Sequence, residues 1–79
     1  MELETWETMV VIDPDICNGK PVLRGKRITV QTILEYLSAG ESREGILKQY
    51  PSLTDKDIDA SLAFASHLMG NNFTLKKIA

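Results

Sequence analysis

The sequence predicts a mainly α-helical fold with a small β element: a short N-terminal strand and β-hairpin followed by a three-helix, helix-turn-helix bundle. Three observations carry this. Apolar residues recur at helical spacing in three segments after residue 28, each opened by Thr or Ser and closed by Gly or Pro. Before that point the apolar runs are short, β-branched and bounded by Asp-Pro or Gly. The chain has 79 residues, enough for one domain and no more.

Residues 1–8 lack periodicity and read as a frayed N-terminus, with Trp6 the residue available to pin it. Residues 9–28 hold the strand and hairpin. Met9-Val10-Val11-Ile12 is a strand-length apolar run that Asp13-Pro14 ends in a turn, with loop to Gly19. The stretch from Asn18 to Val30 is the centre around which the rest of the chain is arranged. Gly19 and Gly25 are candidate tight turns, Pro21 suits the first residue of a strand, and Val22-Leu23 favours extended chain. After Gly25 the run Lys26-Arg27-Ile28 reads as extended again and leads into a helix capped by Thr29.

Residues 29–70 form the bundle. The first helix, Val30 to Ala39, places Val30, Ile33, Leu34 and Leu37 on one face and meets Gly40 at its C-terminal turn. The second starts after Ser42, runs through Ile46, Leu47 and Tyr50, and stops at Pro51. The third runs from about Asp55 to Met69 and ends at Gly70, with Thr54 and Asp57 spaced as a capping box. Residues 71–79 are a tail. The third helix has two apolar strips: Ile58, Leu62, Ala65 and Met69 on one side, and Ala60, Ala63 and Phe64 nearly opposite. A helix apolar on two sides is buried on two sides. The first strip is expected in the core. The second is covered by the hairpin of the same chain or by a second subunit or partner.

Composition narrows the class. Hydrophobic residues make up 43%, enough for a core, while no apolar run reaches the length of a membrane span. The acidic start is the wrong sign for a signal peptide, and the lone Cys17 excludes an internal disulfide, so a cytoplasmic protein is expected. The net charge of −2 counts against DNA binding by the whole surface. Four of the nine basic residues nevertheless cluster at Lys20, Arg24, Lys26 and Arg27, where a hairpin tip can contact phosphates. The start of the third helix, with Asp55, Asp57 and Asp59, would repel them.

Nothing assembles a catalytic site or a metal centre, and no cofactor is expected. His67 is the only histidine, on a packed helix, and Cys17 has no base placed by sequence. Asp55, Asp57 and Asp59 lack the glycine and distal glutamate of a calcium loop. Asn18-Gly19-Lys20-Pro21 lacks the spacing of a phosphate loop.

Asp13-Pro14, Gly19-x-Pro21 and Arg24-Gly25-x-Arg27-Ile28-x-Val30 resemble a small prokaryotic family known as domain of unknown function 433. Ile33-Leu34, Ala39-Gly40, Ile46-Leu47, Tyr50-Pro51, Leu53-Thr54 and Ile58 follow in the family's order. Lys26 stands where threonine is more usual and Thr29 where proline is usual. The resemblance implies a homeodomain-like helix-turn-helix fold. It also implies an antitoxin of a type II toxin–antitoxin pair, neutralising a PIN-like ribonuclease by contact and repressing its own operon. On that expectation the chain is a homodimer that binds its toxin through Phe64, Phe73, Leu75, Lys76 and Lys77, with Ile78 beside them. The competing expectation is a stand-alone DNA-binding regulator that uses Lys20, Arg24, Lys26 and Arg27. A small enzyme ranks last.

Overall fold

A computed structural model describes residues 6–71. Element order is α1 (Trp6–Met9), β1 (Val10–Val11), a 3-10 turn (Cys17–Gly19), β2 (Val22–Leu23), α2 (Val30–Ser38), α3 (Arg43–Gln49) and α4 (Asp55–Asn71). The three helices expected from the sequence are α2, α3 and α4, behind a two-stranded sheet.

The first difference lies at the N-terminus. Residues 6–8, expected to fray, form a helical turn together with Met9, expected in the strand. One turn alone is far below the length at which a helix persists in water. Packing sustains it: the Trp6 ring meets Phe64 of α4 edge-on at 5.4 Å and lies 4.7 Å from the His67 ring.

β1 pairs antiparallel with β2, Val10 opposite Leu23 and Val11 opposite Val22. Between them, Asp13 Oδ1 accepts from the Asp15 N–H at 2.9 Å, the local bond that makes Asp-Pro a turn. A second, tighter reversal follows β2. The Lys26 N–H donates to Leu23 O at 3.0 Å, with Gly25 at φ 74° in the third position of the turn, where positive φ is required. The Leu23 N–H then donates to Ile28 O at 2.9 Å, and Val22 bridges to Thr29. The expected extended run Lys26–Ile28 is interrupted, because Arg27 sits in the left-handed region at φ 54°.

α2, α3 and α4 each begin where a side chain satisfies an orphan N–H. Thr29 Oγ1 accepts from the Thr32 N–H at 3.0 Å, and Ser42 Oγ from the Gly45 N–H at 3.0 Å. Before α4 the pairing is reciprocal. Thr54 Oγ1 accepts from the Asp57 N–H at 3.4 Å, while Asp57 Oδ2 accepts from the Thr54 N–H at 2.9 Å. α2 closes at Gly40, φ 91°, with the Glu41 N–H bonded to Tyr36 O and the Gly40 N–H to Leu37 O, a Schellman end. α4 runs through Gly70 to Asn71 rather than stopping at Gly70.

Leu23, Ile33, Ile46 and Ile58 are fully buried at the centre, with Val10, Val30, Leu53, Ala60 and Phe64 around them. Here the structure divides both strips of α4: Ile58 of the first is buried as expected, and Ala63 of the second is exposed. The core line is Ala60 and Phe64 with Asp57 and Ser61, all buried, and Ile58 joins it near the helix start. Leu62 and Met69, expected inside, are 42% and 60% exposed. Phe64, expected to face a partner, is 8% exposed under Trp6 of its own chain.

Candidate functional site

The four basic residues of the hairpin have different fates. Lys26 Nζ forms an ion pair and hydrogen bond with Asp57 Oδ2, its side chain 25% exposed and that of Asp57 5%. Burial of an ionised carboxylate demands such a partner. Lys26 therefore ties the turn after β2 to the start of α4, and is engaged inside the molecule. Arg24 is exposed, yet its Nε–H donates to Thr8 O at 2.6 Å, holding α1 against the hairpin. Lys20 and Arg27 are exposed. The Arg27 carbonyl accepts a weak bond from the half-buried Cys17 thiol at 3.8 Å.

The carboxylates that open α4 are also occupied. Arg43, at the start of α3, reaches Asp59 Oδ1 at 2.7 Å and Asp55 Oδ1 at 3.6 Å. The bond to Asp59 is the main cause of a guanidinium pKa raised above its ordinary value. The pair is exposed and worth a few tenths of a kcal/mol to about 1. It links the start of α3 to the start of α4 and lowers the negative charge that α4 presents. Sequence reading missed Arg43, which lies far from these aspartates along the chain. At the α2–α3 corner the Tyr36 and Tyr50 hydroxyls lie 3.4 Å apart, with the rings edge to face at 5.9 Å.

The second half of α4 is apolar and open. Leu62, Leu68 and Met69 are 42%, 41% and 60% exposed. Leu68 continues the line of Phe64 past the end of the bundle. It borders a groove of about 190 Å³ lined by Pro21, Val30, Leu34, Phe64 and Ala65. Leu62 and Met69 lie on one side of α4 and Leu68 on another, beside the groove; apolar side chains exposed near one another mark an interaction surface more than scattered ones do. Of the expected partner contacts, Phe73, Leu75, Lys76 and Lys77, with Ile78, lie outside the described residues. Among the described residues no group of three or more His, Cys, Asp or Glu is placed to hold a metal ion. None of the described helices is long and apolar enough to cross a membrane.

The fold and these surfaces define a small, mainly helical domain with a two-stranded sheet, in which the turn after β2 is tied to the last helix by the Lys26–Asp57 charge pair. The chain belongs to the family of proteins of unknown function designated DUF433, whose model matches residues 10–65. It is 34% identical over 64 residues to uncharacterized protein y4eO of Sinorhizobium fredii (strain NBRC 101917 / NGR234), covering 81% of this chain and 29% of that protein. The crystal structure of a DUF433 member from Anabaena variabilis ATCC 29413 superposes with a TM-score of 0.72 at 30% identity, over 75% of this chain and 58% of that one. The chain thus spans under a third of the first relative and 58% of the second.

Proposed function

We propose that this chain is a protein-binding module, the antitoxin of a type II pair in the cytoplasm, which neutralises a PIN-like ribonuclease toxin by direct contact. The observation that supports it best is the open apolar surface of α4: Leu62, Leu68 and Met69 are exposed on a helix whose core contacts are already complete. The toxin would meet the groove beside Leu68 and the segment after α4, where Phe73, Leu75 and Ile78 supply apolar contacts. Lys76 and Lys77 would face the acidic metal-binding residues of the nuclease. Binding, without catalysis by this chain, is the activity. Co-expression with the product of the adjacent reading frame tests the assignment. Co-purification and suppression of RNA cleavage are expected, and deletion of 71–79 should abolish both. Failure of any neighbour to co-purify would end the assignment.

A second reading keeps a specific observation: Lys20, Arg24 and Arg27 are exposed on the hairpin side. They suit phosphate contacts of a regulator acting on its own upstream DNA, with affinity falling steeply as salt rises. A mobility-shift assay at low salt, with Lys20, Arg24 and Arg27 replaced together by alanine as the control, separates the two readings.

A further inference from the structure

Asn18-Gly19 lies in the loop that joins β1 to β2. Glycine has no side chain to crowd its own nitrogen, so an asparagine before glycine is the one whose side-chain amide that nitrogen attacks most readily. Asn18 is exposed and Gly19 half-buried. Both stand at positive φ, 57° and 78°, with Cys17 before them at 49°. Asn18 has ψ 33°. In an L residue at that ψ the next nitrogen lies nearly opposite Cβ across the Cα–C bond, whereas ring closure needs the two on the same side. The attacking nitrogen is also engaged already, since the Gly19 N–H donates to Ile16 O at 3.0 Å. We propose that Asn18 is a site of spontaneous deamidation gated by its loop: the folded loop holds the amide out of reach, and local opening releases it.

The chemistry balances with water alone. The Gly19 nitrogen gives up its proton, bonds to Asn18 Cγ and expels the side-chain NH2, which leaves with a proton as ammonia. The succinimide ring then takes up a water molecule. Hydrolysis at Cγ gives aspartate, and hydrolysis at the main-chain carbonyl gives isoaspartate. Either product adds a negative charge beside Asp13 and Asp15. Aspartate tolerates the left-handed region as asparagine does. Isoaspartate puts an extra methylene into the main chain, so the bonds that close this turn lose their spacing and the loop stays open.

What must open is small. The Gly19 bond is joined by the Lys20 N–H to Cys17 O at 3.2 Å, the Ile16 N–H to Asp13 O at 2.9 Å and the Asp15 N–H to Asp13 Oδ1 at 2.9 Å. All four lie within residues 13–20. The Cys17 thiol adds a weak bond to Arg27 O at 3.8 Å. Cys17 itself holds a conformation unfavourable to a residue with a Cβ. A segment closed by short-range bonds at the surface opens before the core does, so β1, β2 and α4 need not move.

The test follows the full chain over time, folded in warm neutral buffer and unfolded in guanidinium chloride. Trypsin releases the segment up to Arg24, in which Asn18 is the sole side-chain amide. Its mass reports the exchange of NH2 for OH, and chromatography separates isoaspartate from aspartate. Modification is expected to run at least about 10-fold slower in the folded chain, as for a segment that is closed most of the time, with isoaspartate among the products. Asp13→Ala removes the acceptor of the Asp15 N–H and should speed modification of the folded chain by about 3-fold or more. Thr29→Ala, which weakens the fold away from the loop, should leave the rate unchanged. Asn18→Gly suits φ 57° and should show no mass gain. No modification of the unfolded chain, equal rates in the two states, or aspartate without isoaspartate overturns the proposal. So does a Thr29→Ala rate raised as much as that of Asp13→Ala, since the gate would then be global unfolding. Should Asp13→Ala not fold, hydrogen exchange of the wild-type Gly19 N–H takes its place. It should run well ahead of exchange at the Phe64 N–H in α4, and equal protection of the two overturns the local gate.

Discussion

Lys26 and Asp57, 31 residues apart, are held together by an ion pair in which the carboxylate is 5% exposed. Asp57 Oδ2 also accepts from the Thr54 N–H at 2.9 Å and the Thr54 hydroxyl at 3.2 Å. One side chain thus caps α4 and anchors the turn after β2. The charge at Lys26 is structural, which takes one of the four hairpin cations away from any nucleic acid.

Lys26→Met keeps the alkyl stem and removes the charge, leaving a buried carboxylate without its cation. Breaking a fully buried pair costs about 3–5 kcal/mol. Lys26 is 25% exposed, so water screens part of the loss, and about 2–3 kcal/mol is expected. Asp57→Asn keeps a cap acceptor, and the double variant should cost less than the sum of the singles. Urea unfolding of all four chains measures this. Additive costs would mean that the pair contributes nothing.

Thr29→Ala should destabilise by about 1 kcal/mol through loss of the bond to the Thr32 N–H. Thr29→Pro should come close to neutral. Thr29 has φ −77°, near the proline value, and the loss of the cap is offset by about 0.4–1 kcal/mol from a stiffer unfolded chain. Thermal melts of the two variants give the ranking, and a proline variant less stable than the alanine one would refute it.

Tyr36 is pushed above the ordinary tyrosine pKa of 10.0, chiefly by the hydrogen bond with Tyr50, with burial and the charges of Tyr50 and Glu41 adding. A folded-state pKa above the unfolded one means that the native state holds its proton longer. The stabilisation is therefore complete below about pH 10 and lost as pH rises through the folded value. Tyr50→Phe should bring the Tyr36 titration down toward 10.0 in an ultraviolet pH titration. An unmoved curve would show that the hydroxyl pair is not the cause.

The helix starts were legible because capping is local: Thr29, Ser42 and Thr54 each act on an N–H three residues on. The Gly40 end and the two strands were legible for the same reason. The choice between the strips of α4 was not. By hydropathy Leu62 and Met69 outrank Ala60 and Ser61. The structure nevertheless buries the second pair, because Asp57 and Ser61 are satisfied there by Lys26, Thr54 and the Asp57 carbonyl. Trp6 completes the cover from the far end of the sequence. The Lys26–Asp57 and Trp6–Phe64 contacts join residues distant along the chain, and no local pattern reveals them. The surplus of apolar surface on α4 was visible in the sequence, but the side that carries it was not.

Trp6 gives the sharpest check on the burial of Phe64. It is the only tryptophan, and it covers Phe64 and His67. Trp6→Ala should expose Phe64, release the α1 turn and lose the edge-to-face contact. Truncation of a well-buried aromatic costs about 3–5 kcal/mol. Trp6 is half-buried, so about 2 kcal/mol is expected, or roughly 8–16 °C in Tm at 4–8 °C per kcal/mol for a domain of this size. Trp6→Phe should recover more than half of the loss, since a smaller ring still meets Phe64. In the wild-type chain tryptophan emission should be shifted to the blue of free tryptophan and move red in step with unfolding by circular dichroism. Emission already at the free value in the native protein, or a Trp6→Ala chain that melts with the wild type, would mean that Phe64 is covered by something else. The strip it occupies would then count again as a surface for a partner.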